Sequence, residues 1–399
     1  MSYVAKLSFD YLETLFRQIF PKTKNPTAVW APGRVNLLGE HTDYNAGFVF
    51  PMAIDAGIAM VGALNHTATV NLYSVDFQTK TRFSLKKIVP TQRLRWTNYV
   101  RGVCDQFLQA GYELGGMDVV LWGNVPQGAG LSSSAALEVA TALLIDALNG
   151  CNIDRVKLVK MAQRAENEFV GVASGIMDQF ASMMGEEDRA LFLDCRTLDY
   201  ELIPTPFKEQ GYAVVVINSG VKRGLVGSEY NLRRLQCEEA VQLLRADLPT
   251  ITALRDVTLD HLPLVEALPP VLAQRARHVV TENNRVLTAV EALKQGKLED
   301  FGLLLNASHQ SLQHDFEVSC PELDLLVKLA QDFPNTLGSR MTGAGFGGCT
   351  ISLVPQASLP LFQEQILKQY ERKTNISPEV YVFKASPGAQ IIAKELPQS

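Results

Sequence analysis

Two carboxylates flank a short turn in the segment Ala165-Glu166-Asn-Glu168-Phe-Val-Gly171-Val-Ala-Ser-Gly175-Ile-Met-Asp178. Glu166 ends a helical run and Asp178 falls in the first turn of the next helix, with Gly171 and Gly175 bracketing the turn between them. Such a pair can serve one site and divide its labour, Glu166 holding a magnesium ion through oxygen and Asp178 acting on a substrate hydroxyl. Asp178 also reads as an acid favoured near a helix N-terminus, with no further role.

A loop suited to phosphate stands upstream: Gly123-Asn-Val-Pro-Gln-Gly128-Ala129-Gly130-Leu131-Ser132-Ser133-Ser134-Ala-Ala-Leu. A strand feeds it and a helix leaves it. Its glycines let backbone approach a ligand closely. Its serines then present hydroxyls and N–H groups at the positive end of a helix dipole. That arrangement suits a polyphosphate without a lysine in the loop, and the hydroxyls can reach magnesium. No G-x-x-x-x-G-K-[ST] and no H-R-D string occurs, so neither a Walker A loop nor a protein-kinase catalytic loop is present. The plainer alternative is a serine-capped helix after a glycine turn.

Two further loops carry polar or glycine-rich chemistry. In Ala31-Pro-Gly33-Arg34-Val-Asn36-Leu-Leu-Gly39-Glu40-His41-Thr42-Asp43-Tyr44-Asn-Ala-Gly47, Glu40 and Asp43 accept hydrogen bonds. His41 donates or accepts, and Arg34 donates in a fixed fork. A dense set of this kind suits a sugar, and a site built to pair hydroxyls rejects analogues lacking them. The alternative is a solvated, charged turn. Against it, Arg34 sits in an apolar run with Val35, Leu37 and Leu38, where a buried arginine needs a partner. Arg340-Met-Thr-Gly343-Ala-Gly345-Phe-Gly347-Gly348-Cys349-Thr350 contains a formal G-x-G-x-x-G. It opens a β-branched run and not a helix, which fails the dinucleotide fingerprint. A loop closing over a ligand fits better, and a bare hairpin turn is the alternative.

The elements that must position these loops alternate between strand and helix. Strand Ala28–Trp30 precedes the polar loop. Val70–Val75, Asp118–Leu121 and Leu191–Asp194 read as strands, and Trp96–Gln109 and Ala135–Leu148 as helices. The helix Ala135–Leu148 is apolar on most faces, hence buried, and Asn149-Gly150 caps it. Near the N-terminus, Leu12, Leu15, Phe16 and Ile19 share one face of an amphipathic helix. The pattern breaks at the prolines of Leu202–Pro206, and a fresh strand, Ala213–Asn218, follows. The second half is helix-rich up to the glycine loop at 343–348. Strands Cys349–Val354 and Val380–Phe383 then flank a helix at Leu361–Lys373. This mixture predicts an α+β chain of two domains, 1–205 and 206–399.

The chain of 399 residues is 47% hydrophobic and 20% charged, with a net charge of −5. That balance suits a globular protein with a large core and speaks against nucleic-acid or anionic-membrane partners. The six cysteines are scattered singly, which excludes a disulfide framework or a zinc site and predicts reduced thiols. Neither a signal-peptide pattern nor an apolar run near the ~20 residues of a membrane span is seen, so the expected location is the cytoplasm.

In this order and at these separations the loops resemble the galactokinase, homoserine kinase, mevalonate kinase and phosphomevalonate kinase superfamily. The resemblance runs from Ala31 to about Val354. The loops P-Q-G-A-G-L-S-S-S-A-A and G-A-G-F-G-G are superfamily-wide. G-R-V-N-L-L-G-E-H-T-D-Y is narrower and resembles the galactokinase branch, as do Gly175-Ile-Met-Asp-Gln179 and the stretch from Ser228 to Glu239. The resemblance implies an N-terminal domain like domain 2 of ribosomal protein S5 and a ferredoxin-like C-terminal domain, with the active site in the cleft between them. It implies transfer of the ATP γ-phosphate to the C1 hydroxyl of galactose, the first step of the Leloir pathway. Asp178 would be the base, and Arg34 would stabilise the moving phosphoryl group. Glu40, His41, Thr42, Asp43 and Tyr230 would bind the sugar. Ser74 and the run Gly128, Ala129, Gly130, Leu131, Ser132, Ser133 and Ser134 would bind ATP, with Ser134 and Glu166 on Mg2+. The implied partners are galactose and ATP, with no nucleic acid or membrane, and the chain would act as a monomer. A sister kinase acting on N-acetylgalactosamine is the rival substrate reading. A galactose sensor is a rival of another class, but such proteins lack part of the serine-alanine loop, which is whole here from Ser132 to Ala136.

Overall fold

Thr27–Leu38 (β1) and Phe48–Leu64 (β2) are the two longest strands, and they pair antiparallel over most of their length. Both are buried almost throughout, so they sit at the centre of the sheet they begin. The expected strand Ala28–Trp30 therefore runs on to Leu38, and the first half of the polar segment is strand, not loop. Register shifts between Pro32 and Arg34 and between Asn36 and Leu38 absorb the proline and glycine, as β-bulges do. This architecture comes from a computed structural model that describes residues 8–126, 128–221 and 226–392.

The first sheet adds Thr69–Ser74 (β3), Thr79–Ser84 (β4), Met117–Gly123 (β5), Arg189–Asp194 (β6) and Tyr200–Pro204 (β7). The second is built from Tyr212–Asn218 (β8), Gly338–Thr342 (β9), Cys349–Pro355 (β10) and Glu379–Phe383 (β11). A last strand, Gln390–Ile392 (β12), returns to pair with β1. The first sheet runs β12-β1-β2-β5-β3-β4, with β6 on β2 and β7 on β6. The second runs β11-β8-β10-β9. The only parallel pair among the described strands is β3 with β5. The chain passes from the first sheet to the second between Pro204 and Tyr212. Residues 390–392 nevertheless belong to the first sheet, so the expected division 206–399 holds one strand of the N-terminal unit.

Phe9–Ile19 (α1) lays Leu12 and Phe16 on the outer face of the first sheet, against Ala59, Val61 and Trp122. Thr97–Gln109 (α2), Ser133–Asn149 (α3), Arg155–Arg164 (α4) and Met177–Met184 (α5) cover its other face. Residues 135–145 of α3 are all buried, as their apolar composition requires. The second half contributes Val226–Leu244 (α6), Leu262–Glu266 (α7), Pro270–Lys294 (α8), Leu298–His314 (α9), Pro321–Gln331 (α10) and Leu359–Thr374 (α11). The chain's Asp300-Phe301-Gly302 string lies inside α9, so it is no metal-binding kinase loop.

One core cluster joins the halves. Val35, Leu37 and Phe50 of the first sheet pack with Val214, Val216 and Ile351 of the second and with Val286 and Phe301 of α8 and α9. Burying each such side chain is worth about 1.5–3 kcal/mol, against about 0–1 kcal/mol for a surface ion pair. The core therefore fixes how the loops of the two halves face each other. Among the described residues no helix is long and apolar enough to cross a membrane. All six cysteines are free thiols.

Candidate active site

The phosphate loop meets α3 at Ser132, which caps the helix from the left-handed region, φ 60°. Its side chain makes no capping hydrogen bond. It donates instead to Asp178 Oδ2. The first-turn N–H groups of α3 thus lack the usual side-chain partner, at the helix end that carries partial positive charge. Strand β1 lies directly against this loop. Arg34 N donates to Leu131 O at 3.1 Å, and Arg34 Nη1 to Gly130 O at 2.7 Å. A Cβ on Gly33 would stand 2.6 Å from Leu131 O, so only glycine permits this approach.

Asp178 stands in the first turn of α5, as the sequence predicts. Its Oδ1 accepts from Arg34 Nε at 2.7 Å and its Oδ2 from Arg34 Nη2 at 2.9 Å. With the bond from Ser132, three of the roughly four acceptor positions of a carboxylate are filled, which leaves one for a substrate. The Arg34 side chain is 5% exposed and that of Asp178 27%, so the acid faces the cavity and the guanidinium backs it. Ser182 Oγ donates to Pro32 O at 2.6 Å and pins α5 to β1 behind the pair.

Glu166 lies in a π-helical turn, Ala165–Val170, an element that recurs at functional sites. Its Oε2 accepts from Ser174 Oγ at 2.6 Å and from Gln179 Nε2 at 2.9 Å. Gln179 Nε2 also donates to Glu138 Oε2 at 2.9 Å. Burial holds Glu138 well above the usual carboxylate range, and the charge of Glu166 adds to this. Glu166 is itself raised by burial, while hydrogen bonds from Ser174, Gln179 and Ser134 pull the other way.

The polar segment closes the opposite side. Glu40 is 2% exposed, and its Oε1 accepts from Thr342 Oγ1 (3.1 Å), Gly343 N (2.7 Å) and lies 2.9 Å from Arg340 Nη2. Arg340 Nη1 donates to Asn36 O and Leu37 O at 3.0 and 2.7 Å. The glycine loop between β9 and β10 is thereby both a hairpin loop and a wall of the site. His41 Nδ1 lies 2.9 Å from Tyr44 Oη, and its ring packs against Tyr230 and Phe316 at 5.4 and 4.8 Å. Burial pushes His41 down to about 4, so the ring is neutral near pH 7. A Cβ on Gly175 would fall 1.8 Å from Asp43 Oδ2, so a glycine there is what lets Asp43 approach the Asp178 turn.

Burial pushes the Asp43 carboxyl up to about 7, and the nearby Asp178 carboxylate adds to it. An ionised Asp43 accepts hydrogen bonds through both oxygens, whereas the protonated acid gives up one acceptor. The apparent KM for a hydroxylated substrate is therefore expected to rise as pH falls through about 7, and Asp43→Asn is expected to flatten that dependence. Because the folded protein holds this proton more tightly, stability from this group falls as pH rises from the ordinary carboxylate value to about 7. Steady-state kinetics across that range check the first effect.

Arg34, Glu40, His41, Asp43, Gly128, Gly130 to Ser134, Glu166, Asp178 and Tyr230 all line one cavity of about 350 Å³. Three predicted residues do not. Thr42 is fully buried and spends its hydroxyl on Gly39 O and Phe48 O. It shapes the turn and presents no group to the cavity. Ala129 is buried beneath the loop. Ser74 is buried at the end of β3 and accepts from Phe77 N at 3.3 Å. Sequence reasoning missed Tyr99, Ser174 and Asn231 as lining residues, and gave no role to Arg340, Gln179 or Glu138. A signal existed for Arg340, a lone cation beside an apolar strand, as for Arg34.

The galactokinase galactose-binding signature matches residues 14–64, the GHMP kinases N terminal domain residues 98–186, and the GHMP kinases C terminal domain residues 289–372. The chain is 44% identical to a galactokinase of Fusobacterium nucleatum, over 94% of this chain and 97% of that one. It is 42% identical to a galactokinase of Enterococcus faecalis, over 96% and 99%. The crystal structure of Lactococcus lactis galactokinase complexed with galactose superposes with a TM-score of 0.92 at 38% identity, over 96% of this chain and 99% of that one. The mevalonate kinase of Methanococcus jannaschii shares the fold, with a TM-score of 0.64 at 19% identity over 91% and 99%. A chain with these loops, this cavity and this likeness along nearly its whole length belongs to the GHMP kinases, and within them to the galactokinase family.

Proposed function

We propose that this chain transfers the γ-phosphate of ATP to the C1 hydroxyl of galactose, in the cleft between its two halves. The observation that carries the reading is the Arg34–Asp178–Ser132 cluster, where the phosphate loop, the polar segment and the acid meet in one cavity. Phosphoryl transfer needs positioning and charge stabilisation more than covalent chemistry. Asp178 accepts the proton of the attacking hydroxyl, and Arg34, held between Asp178 and Gly130 O, faces the charge that spreads over the phosphoryl oxygens. Glu40, His41, Asp43 and Tyr230 hold the sugar, with Thr42 supporting the turn from below.

The nucleotide phosphates rest on Gly128 to Ser134. Ser74 contributes at one remove, since it holds the turn that carries Phe77. The Phe77 ring stacks on Trp96, with centroids 6.0 Å apart, and the Trp96 Nε1 finds no partner among the described residues. That pair is a suitable rest for the adenine.

The donor set also fits magnesium. Among the described residues no group of three or more acidic, histidine or cysteine side chains converges as a cage. Magnesium is usually held by one or two carboxylates together with substrate phosphates and water. Ser134 and Glu166, which both line the cavity, would hold it. Bound there, the ion would neutralise phosphate charge. Glu166→Ala is expected to raise the magnesium concentration needed for half-maximal rate, and an unchanged titration would remove Glu166 as a ligand.

The four-stranded antiparallel sheet, in the order β11-β8-β10-β9 with α11 between β10 and β11, supports a ferredoxin-like second unit. We assign the first sheet to the S5 domain 2-like unit. We take the chain to act as a monomer, and its unpaired thiols suit the cytoplasm. Release of ADP, measured with galactose, N-acetylgalactosamine and arabinose, tests the reading. Galactose should give the highest kcat/KM, and a preference for N-acetylgalactosamine would replace it with the sister activity.

A further inference from the structure

A second cavity, of about 490 Å³, lies behind the wall that carries Asp43, Ser174 and Gly175, which also line the first. Its cations come from three separate elements: Lys160 and Arg164 on α4, Arg196 in the turn after β6, and Arg234 on α6. Four positive charges thus converge on one space in a chain whose net charge is −5, with Asp43 the one acid among the described lining residues. Two of the four are anchored by acids outside the lining. Arg196 Nη1 donates to Asp256 Oδ1 at 2.7 Å, and Arg234 Nε to Glu238 Oε1 at 3.0 Å.

Lys160 and Arg164 have no acidic partner among the described residues. They stand four apart on α4, where like charges repel and weaken the helix. Such a pair is relieved when an anion sits between the two charges. Guanidinium groups match the oxygens of phosphate in paired hydrogen bonds, and lysine serves as a point charge beside them. The volume is that of a small-molecule site. We propose that this cavity is a second anion site, taking the dianionic phosphate group of a small molecule against the back of the wall that carries Asp43. The inference stands apart from the activity assigned to the first cavity.

The test is ³¹P NMR line broadening of inorganic phosphate and, separately, of glucose 6-phosphate by the full chain at fixed ionic strength. Wild type is compared with Lys160→Glu/Arg164→Glu and with the gentler Lys160→Gln/Arg164→Gln. Both side chains are exposed and lie outside the first cavity, so circular dichroism and turnover without added phosphate should match wild type. Binding should weaken at least about tenfold in the charge-reversed variant and by less in the neutral one. Tighter binding of glucose 6-phosphate would identify a phosphate ester as the ligand, and equal binding free phosphate. No broadening by wild type, or equal broadening by wild type and both variants, would overturn the proposal.

Discussion

Asp178→Ala is expected to lower kcat by about 10²–10⁴-fold, the usual worth of a positioned general base, while ATP still binds. The expectation follows from where the acid sits. Among the described residues it is the one carboxylate hydrogen-bonded both to the phosphate loop, through Ser132, and to the cation Arg34, and it keeps a free acceptor position toward the cavity. Its removal leaves Arg34 buried without its ionic partner, so Asp178→Asn, of equal size, belongs beside it. Both variants should lose turnover, with the KM values for galactose and ATP changed only a few-fold. A loss confined to KM would make Asp178 a binding group. Activity within about tenfold of wild type would remove it as the base.

Arg340→Met is expected to destabilise the fold by about 3–5 kcal/mol, because it breaks a buried pair on one side only. Arg340 is fully buried and reaches three groups of the polar segment: Glu40, Asn36 O and Leu37 O. Without it, Glu40 and two strand carbonyls lose their cation in the core between the halves. Chemical denaturation should show a lower midpoint, and the surviving enzyme should bind galactose more weakly, since Glu40 then loses its fixed position. A midpoint like that of wild type would mean that the pair contributes little beyond its desolvation cost.

The parts of the site that were legible beforehand are those in which one short segment carries the chemistry. Gly128 to Ser134 declares a helix entrance, and the strand before and the buried helix after it are plain from composition. The acids at 166 and 178 were legible for the same reason. Arg340, Gln179 and Glu138 were not, because their meaning lies in partners far along the chain. Arg340 meets residues near position 37, and Gln179 joins Glu138 to Glu166. Polar character also does not tell a ligand from a brace: Thr42 sits amid cavity-lining residues yet spends its hydroxyl on backbone. The end of β1 was misread because Pro32 and Gly33 signal a turn, whereas here a bulge keeps the strand intact and lets it abut the phosphate loop. The return of β12 to the first sheet rests on three residue pairs, too short a run to show as a pattern.

The most direct measurement is a crystal structure of the ternary complex with galactose and a non-hydrolysable ATP analogue. The expected result is a galactose C1 oxygen within about 3 Å of an Asp178 carboxylate oxygen, with the terminal phosphate on the loop from Gly128 to Ser134 and in line with that oxygen. A sugar seated with its C1 hydroxyl turned away from Asp178, or a nucleotide whose phosphates leave that loop untouched, would contradict it.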